Sequence, residues 1–257
     1  MTASPDTPSD VLSDGQLTLT CSPPDILLFR HAATDMDDGP RRYIGRTEVP
    51  LSAEGRAQAA SWQSRLASLD VVEAYASPLN RALDTARLML GQGNAAADTG
   101  RTATGATRTP LTVLDDLAEM HLGEWEGLPQ AYVRQGSPDA YAQRGQEPWT
   151  FRPPGGECCA EVAARGVRAL DAIWRGCGRL KRHTAMSSGC AAEVGAVSGF
   201  GGFVLAVSHA GLIRSVLCAM GRIGHAELLT LPVRHLQCVR LRRLEAGWDV
   251  VSPDWVP

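Results

Sequence analysis

The chain has 257 residues, 44% of them hydrophobic, a formal net charge of −3 and a pI near 6.1. This length is sufficient for one α/β domain with a substantial core. The weakly acidic balance argues against nonspecific nucleic-acid binding, which uses basic surfaces, and no apolar stretch is long enough to span a bilayer. We therefore expect neither a nucleic acid nor a membrane as partner.

The cysteines and the N-terminal residues indicate the cellular compartment. Seven cysteines are present, an odd number with no Cys-x-x-Cys spacing. This pattern argues against a disulfide framework or a zinc site and predicts a reducing, cytoplasmic setting. Residues 1–24 are rich in Ser, Thr, Asp and Pro and lack the features of a secretory signal. We expect this segment to be disordered.

Short apolar runs alternate with helical patterns along the rest of the chain. Buried strands are predicted at 26–29, 71–76, 111–114 and 203–207, and a terminal hairpin at 239–244 and 248–251. Helices are predicted from a Ser52 N-cap to Leu69, and over 80–90, 157–175 and 212–220. Residues 115–156 are expected to form an irregular excursion over the sheet edge.

The alternation of strands and helices predicts a three-layer α/β/α sandwich with a mostly parallel central sheet. Residues 25–257 would form a single domain. Two stretches rich in small residues, near 91–109 and 183–202, are expected to be flexible insertions.

Polar residues follow three of the predicted strands. Arg30 and His31 follow the first strand, Arg81 begins the helix after the second, and His209 follows the 203–207 strand. Ligands bind beyond the carboxyl ends of parallel strands, and a neutral imidazole can attack phosphorus. Each residue alone would be an ordinary loop or helix residue, but their convergence predicts a phosphoryl-transfer site. A two-histidine metal site stays an alternative.

A phosphohistidine route also needs a general acid and base. Residues 117–127 supply carboxylates in an apolar setting, and composition does not choose among Glu119, Glu124 and Glu126. An acidic loop offers further candidates, for which a solvated surface is the simpler interpretation: Asp35, Asp37 and Asp38.

From about Asp25 to Leu241 the chain resembles the histidine phosphatase, or phosphoglycerate mutase-like, superfamily. The resemblance rests on five fragments in family order, namely 28–34, 43–59, 77–86, 117–127 and 207–211. It implies a phosphoglycerate mutase-like fold, a phosphoric monoester hydrolase, and no metal or other cofactor. A small phosphorylated metabolite is the implied partner. A homodimer is compatible with the sequence, which does not fix the oligomeric state.

The resemblance also implies a role for each matched residue. His31 would be the nucleophile and Glu119 the proton donor and later the base. Arg30, Arg81 and His209 would complete the phosphate pocket. Thr34 and Arg46 are weaker candidates for substrate contacts.

Three positions beside the nucleophile depart from the family pattern. Ala32 stands where Gly is usual, Ala33 where Glu is frequent, and Asp37 where an Asn often contacts the phosphoryl group. An Asp there would repel a phosphate dianion, so Asp37 is left out of the predicted site.

The fragment around Glu119 and the phrase at 45–51 look most like α-ribazole phosphatases. This predicts α-ribazole 5′-phosphate as the substrate, within cobalamin biosynthesis. The alternatives are a broad-specificity or sugar-phosphate phosphatase, a phosphoglycerate mutase, and a noncatalytic module that binds phosphorylated ligands.

Overall fold

The computed structural model describes residues 24–36, 39–92, 109–187 and 202–252. Six strands form one sheet: β1 (Asp25–Arg30), β2 (Val71–Ala76), β3 (Leu111–Val113), β4 (Phe203–Ser208), β5 (Cys238–Leu244) and β6 (Gly247–Ser252). Seven helices accompany them in the described ranges: α1 (Ala53–Ser61), α2 (Gln63–Ala67), α3 (Asn80–Met89), α4 (Gln130–Gly136), α5 (Pro138–Gln146), α6 (Cys159–Ser187) and α7 (Ala210–Ala219).

The strand order in the sheet is β3-β2-β4-β1-β5-β6. The pairs β3–β2, β2–β4 and β4–β1 are parallel, whereas β5 runs antiparallel to β1 and to β6. The prediction of a mostly parallel sheet that ends in a hairpin is therefore confirmed. The strands β1 and β4 lie at the centre, which agrees with their continuous apolar sequences.

Alternate residues of the central strands supply two cores. Ile26 and Leu28 pack with the apolar stripes of α6 and α7 on one face, whereas Leu27 and Phe29 pack with α1, α2 and α3 on the other. Phe29 meets Trp62 edge to face, with ring centroids 4.9 Å apart. This arrangement gives the predicted three layers, because each face of a buried sheet needs its own cover.

Two helix predictions differ from the structure in their bounds. Ser52 caps α1 as predicted, since its Oγ accepts from the N–H of Gly55 at 3.0 Å, but the predicted helix is divided in two near Trp62. The helix α6 continues to Ser187, beyond the predicted end and into the start of the expected second insertion. The remainder of both insertions (93–108 and 188–201) and residues 1–23 lie outside the described residues.

The excursion between β3 and α6 is more regular than the sequence indicated. It holds α4, α5 and a small core in which Tyr43, Trp125 and Val133 are buried. No residue of α5 is buried, so its sequence carries no apolar stripe that would reveal a helix. Over the described part of the chain, no helix is both long and apolar enough to cross a membrane.

Candidate active site

The parallel pairing of the central strands places the predicted site residues at one edge of the sheet. Arg30 pairs in register with Ser208, and the ladder continues one step further, because the N–H of His31 donates to the Ser208 carbonyl at 2.9 Å. On the other side of β4, the N–H of Ser77 donates to the Val207 carbonyl at 3.0 Å. The segments that follow β1, β2 and β4 therefore begin side by side at the same edge of the sheet.

The side chain of His31 is buried, with 6% of its surface exposed. Its Nδ1 lies 2.7 Å from the Ala32 carbonyl oxygen, which can only accept a hydrogen bond, so Nδ1 carries the proton. Nε2 then keeps its lone pair. Burial, helped by the positive charges of Arg30 and Arg81, lowers the pKa of His31 well below 6.5.

The ring of His209 is fully buried beside that of His31, with the centroids 5.1 Å apart. Its Nε2 lies 2.7 Å from the hydroxyl oxygen of Ser77. Its Nδ1 has no hydrogen-bond partner in the part of the chain that the structure describes. Burial, followed by the charge of His31 and of nearby arginines, lowers the pKa of His209 well below 6.5.

Backbone carbonyls orient the two predicted phosphate-binding arginines. The Nη1 of Arg30 donates to the Val233 carbonyl at 2.8 Å. Arg81 is 2% exposed and donates to the carbonyls of Thr47 at 2.8 Å and Gly45 at 2.7 Å. These hydrogen bonds fix the guanidinium groups without cancelling their charge.

The carboxylate of Glu119 accepts from the first N–H groups of α7. The N–H of Gly211 donates at 3.1 Å and that of Leu212 at 3.2 Å, while the N–H of Met120 adds a third bond at 2.8 Å. A carboxylate suits this place, because the first N–H groups of a helix lack partners within the helix. A side chain at 211 would collide with the Glu119 carboxylate, so glycine is required for this approach.

Arg165, which the sequence did not single out, and Glu157 hold the Glu119 loop from behind. The guanidinium of Arg165 donates to the carbonyl of Glu119 at 3.0 Å and pairs with Glu157 at 3.0 Å. Burial opposes ionisation of Glu157, but Arg165 and the N–H of His121 outweigh it and lower its pKa. Glu157 precedes α6 and Arg165 lies within it, so no helical spacing linked these two residues in the sequence.

Thr34 and Arg46 occupy different places. Thr34 is buried and lines the cleft in front of His31. Arg46 instead lies behind Glu119, where its Nε donates to the Glu119 carbonyl at 3.2 Å and its Nη2 pairs with Glu157 at 3.2 Å. Arg46 is therefore part of the support of Glu119 and not of the cleft wall.

The other acidic candidates do not reach the cleft. Glu126 accepts from the N–H groups of Arg46 at 2.9 Å and Leu122 at 3.1 Å, and Glu124 is exposed. Asp35 is exposed as well, while Asp37 and Asp38 lie outside the described residues. Among the described residues Glu119 is the carboxylate that lines the cleft.

The two departures from the family pattern that the structure describes lie away from the ligand space. Ala32 is fully buried in the core, and its N–H donates to Thr85 Oγ1 at 3.0 Å. The carbonyl of Ala33 accepts from the N–H of Ser52 at 3.1 Å. Neither alanine lines the cleft.

A third histidine, His235, was not foreseen at this site. Its ring centroid lies 5.4 Å from that of His31, and its Nδ1 lies 3.0 Å from the His31 carbonyl oxygen. His235 lies in the irregular segment before β5, about 200 residues later in the chain, so no local pattern pointed to it.

The site opens on a cleft of about 230 Å³, which His209 does not line. It is lined by His31, Arg30, Arg81 and Glu119, together with residues from the excursion and from the start of α7. In the described ranges no three His, Cys, Asp or Glu side chains come together as a metal site. A neutral imidazole, two guanidinium groups and a carboxylate in one cleft fit phosphoryl transfer.

Comparison with known proteins agrees with this chemistry. The family model of the histidine phosphatase superfamily (branch 1) matches residues 26–255. Glucosyl-3-phosphoglycerate phosphatase of Mycobacterium tuberculosis is 29% identical over 240 residues, which cover 90% of this chain and 86% of that protein.

Two solved structures share the fold. A mycobacterial glucosyl-3-phosphoglycerate phosphatase gives a TM-score of 0.66 at 24% identity and covers 91% of this chain and 99% of its own. The α-ribazole phosphatase of Shigella flexneri gives 0.63 at 20% identity, with coverages of 90% and 96%. At these identities the likeness shows the fold alone.

The chain belongs to the histidine phosphatase superfamily. It is a phosphoric monoester hydrolase, as the sequence predicted.

The lowered pKa values of His31 and His209 give a pH prediction. Both rings should stay neutral as the pH falls through 6.5. The unfolded chain then binds more protons than the folded protein, so the free energy of unfolding decreases as the pH falls below that value. NMR spectra of ¹⁵N-labelled histidine rings, assigned with His31→Ala and His209→Ala, check this. Protonation of either ring at about pH 6 would contradict it.

The tight approach of Glu119 to α7 gives a second prediction. In Gly211→Ala the new methyl group displaces the Glu119 carboxylate, and we expect kcat for an alkyl phosphate to fall about 10²-fold. The melting temperature should fall modestly, because the displacement weakens the hydrogen bonds at the start of α7 but leaves the core intact. Gly136→Ala is the matched control, since a methyl group at that helical position meets no other atom within 4 Å. Equal activity of the two variants would contradict the prediction.

Proposed function

We propose that this phosphatase works through a phosphohistidine on His31, with Glu119 as general acid and base. The observation that carries the proposal is the fixed tautomer of His31. Its Nδ1 is held on the Ala32 carbonyl, so Nε2 carries the lone pair in a cleft that also holds Arg81 and Glu119. A neutral, oriented imidazole is the form that attacks phosphorus.

In the first step the Nε2 lone pair of His31 forms a bond to phosphorus while the bond from phosphorus to the ester oxygen breaks. The departing oxygen takes a proton from Glu119 and leaves as an alcohol. In the second step Glu119 accepts a proton from water, whose oxygen attacks phosphorus. The phosphorus–nitrogen bond breaks, inorganic phosphate is released, and His31 returns to its starting form.

The electrostatics of the cleft suit this sequence. The transferred group spreads its charge over three oxygens, and Arg30 and Arg81 supply preorganised positive charge for them. His209 can donate a hydrogen bond from a ring nitrogen that has no partner among the described residues. The depressed pKa of His31 keeps the nucleophile unprotonated at neutral pH.

Two substrate candidates have separate support. The fragments around Glu119 and at 45–51 favour α-ribazole 5′-phosphate. The relative that is 29% identical over 90% of the chain is named for glucosyl-3-phosphoglycerate, which favours a sugar-phosphate phosphatase. We favour the second candidate, because that similarity extends over almost the whole length of both proteins.

Substitution of the two proposed catalytic residues tests the mechanism. His31→Ala should lower kcat about 10³-fold or more with every substrate and abolish the acid-labile label left by a ³²P-phosphomonoester. Glu119→Gln should lower kcat about 10²-fold or more with alkyl phosphates, but much less with 4-nitrophenyl phosphate, whose leaving group needs no proton.

His121→Ala and Glu124→Gln are matched controls, because both side chains lie near the site in sequence and outside the cleft. Equal, negligible hydrolysis by the wild type and His31→Ala would favour the noncatalytic binding module. Transfer of labelled phosphate back to the substrate skeleton, in place of its release, would favour a mutase.

A panel of phosphorylated metabolites decides between the substrate candidates. We expect kcat/KM for glucosyl-3-phosphoglycerate to exceed that for α-ribazole 5′-phosphate by about tenfold or more, which is ~1.4 kcal/mol of transition-state stabilisation. Steady-state release of inorganic phosphate measures both. The reverse preference would restore the cobalamin assignment.

A further inference from the structure

The cleft carries more positive charge than a phosphoryl group needs. Among the described residues, five arginines and one glutamate line it: Arg30, Arg42, Arg81, Arg144, Arg214 and Glu119. The whole chain has a net charge of −3, so this excess is local. A phosphomonoester brings about two negative charges at neutral pH. Arg30 and Arg81 match them, and three arginines then face a single carboxylate.

Arg214 projects from α7, one turn beyond the N–H groups that hold Glu119. Its Nη1 donates to the Leu231 carbonyl at 3.1 Å, and its Nε is buried without a hydrogen-bond partner in the described ranges. Burial lowers the pKa of Arg214; the charge of Glu119 opposes this shift, and the charge of Arg144 adds to it. The two guanidinium groups are therefore close enough to repel each other.

Arg144 reaches the same place from α5. Its guanidinium carbon lies 5.3 Å from the centre of the Tyr43 ring, so an aromatic face supports it. No carboxylate of the described residues forms an ion pair with Arg144 or Arg214. Glu119 is the carboxylate that lines the same cleft, so one negative charge faces two half-buried positive charges. An anion between the two guanidinium groups would reduce their repulsion.

A second cavity gives such an anion room. It measures about 60 Å³ and adjoins the main cleft, with which it shares Arg144, Arg214, Met120, Leu122 and Gly211. About 10–15 Å³ of this kind of space holds one water molecule, so the cavity has room for a small polar group such as a carboxylate. Gly211 lines both cavities, and its N–H donates to Glu119, so the second cavity lies near the proposed proton donor of the leaving group.

We propose that Arg144 and Arg214 form a second anion subsite, and that the substrate's leaving group carries a carboxylate or a second phosphate that binds there. The proposal rests on the phosphatase function assigned above and narrows its substrate class to phosphomonoesters with a second anionic group. The subsite selects among substrates and takes no part in bond cleavage.

Matched pairs of small ligands test the subsite without depending on turnover. Glycerol 3-phosphate and 3-phosphoglycerate differ by a hydroxymethyl group in place of a carboxylate. Fructose 6-phosphate and fructose 1,6-bisphosphate differ by a second phosphate. Calorimetric Kd values are measured on the full-length His31→Ala protein, which binds these ligands without forming a phosphohistidine.

We expect 3-phosphoglycerate or fructose 1,6-bisphosphate, which carry a second anionic group, to bind about tenfold or more tightly than its matched partner. The reason is that charge-assisted hydrogen bonds are strong. The pair that shows the larger ratio identifies carboxylate or phosphate as the second anion. Arg144→Gln and Arg214→Gln, each added to His31→Ala, should bring that ratio close to one. Arg134→Gln on α4, an exposed arginine outside the cleft, should leave the ratio unchanged.

Ratios near one for both pairs in the parent protein would overturn the subsite. So would a ratio that survives in both Arg144→Gln and Arg214→Gln when circular dichroism shows that these variants are folded. Failure of the phosphatase function is a separate result, since it appears as absence of His31-dependent hydrolysis by the wild type whatever the Kd ratios are.

Discussion

The pairing of β1 with β4 is the constraint on which the site depends. Hydrogen bonds of the parallel ladder run past Arg30 and Ser208 to the N–H of His31, so the backbone of the proposed nucleophile is held directly at the end of the sheet. The same register brings His209 within 5.1 Å of His31, measured between ring centroids. If the pairing of β1 with β4 shifted by one residue, the two histidines would lie on opposite faces of the sheet, because side chains alternate along a strand.

Residues outside the cleft position Glu119, the proposed general acid. Glu119 is fixed at its carboxylate by α7 and at its carbonyl by Arg165 and Arg46, which both contact Glu157. Both the side chain and the backbone of Glu119 are therefore held in place, which limits the positions of a proton on its carboxyl group. Such support explains how a residue in an irregular segment serves chemistry that requires accurate placement.

Elements with a clear local sequence pattern were predictable, and those without such a pattern were not. The continuous apolar runs around Leu28 and Leu205 gave the central strands, and family order among five fragments gave His31, Arg81, Glu119 and His209. The helix α5 was missed because it buries no residue. His235 and Arg165 were missed for another reason: each reaches the site through contacts between distant parts of the chain, which leave no local pattern.

Three of the arginines at this site share one feature, because each donates to a backbone carbonyl. Arg30 rests on Val233, Arg81 on Thr47 and Gly45, and Arg214 on Leu231. A backbone carbonyl carries no net charge, so these hydrogen bonds do not neutralise the guanidinium groups, and that has a consequence for turnover. Inorganic phosphate, the product, meets the same charges as the substrate, so it competes for the free enzyme and slows its own departure. By mass action it also stabilises the fold, because only the folded chain assembles these charges.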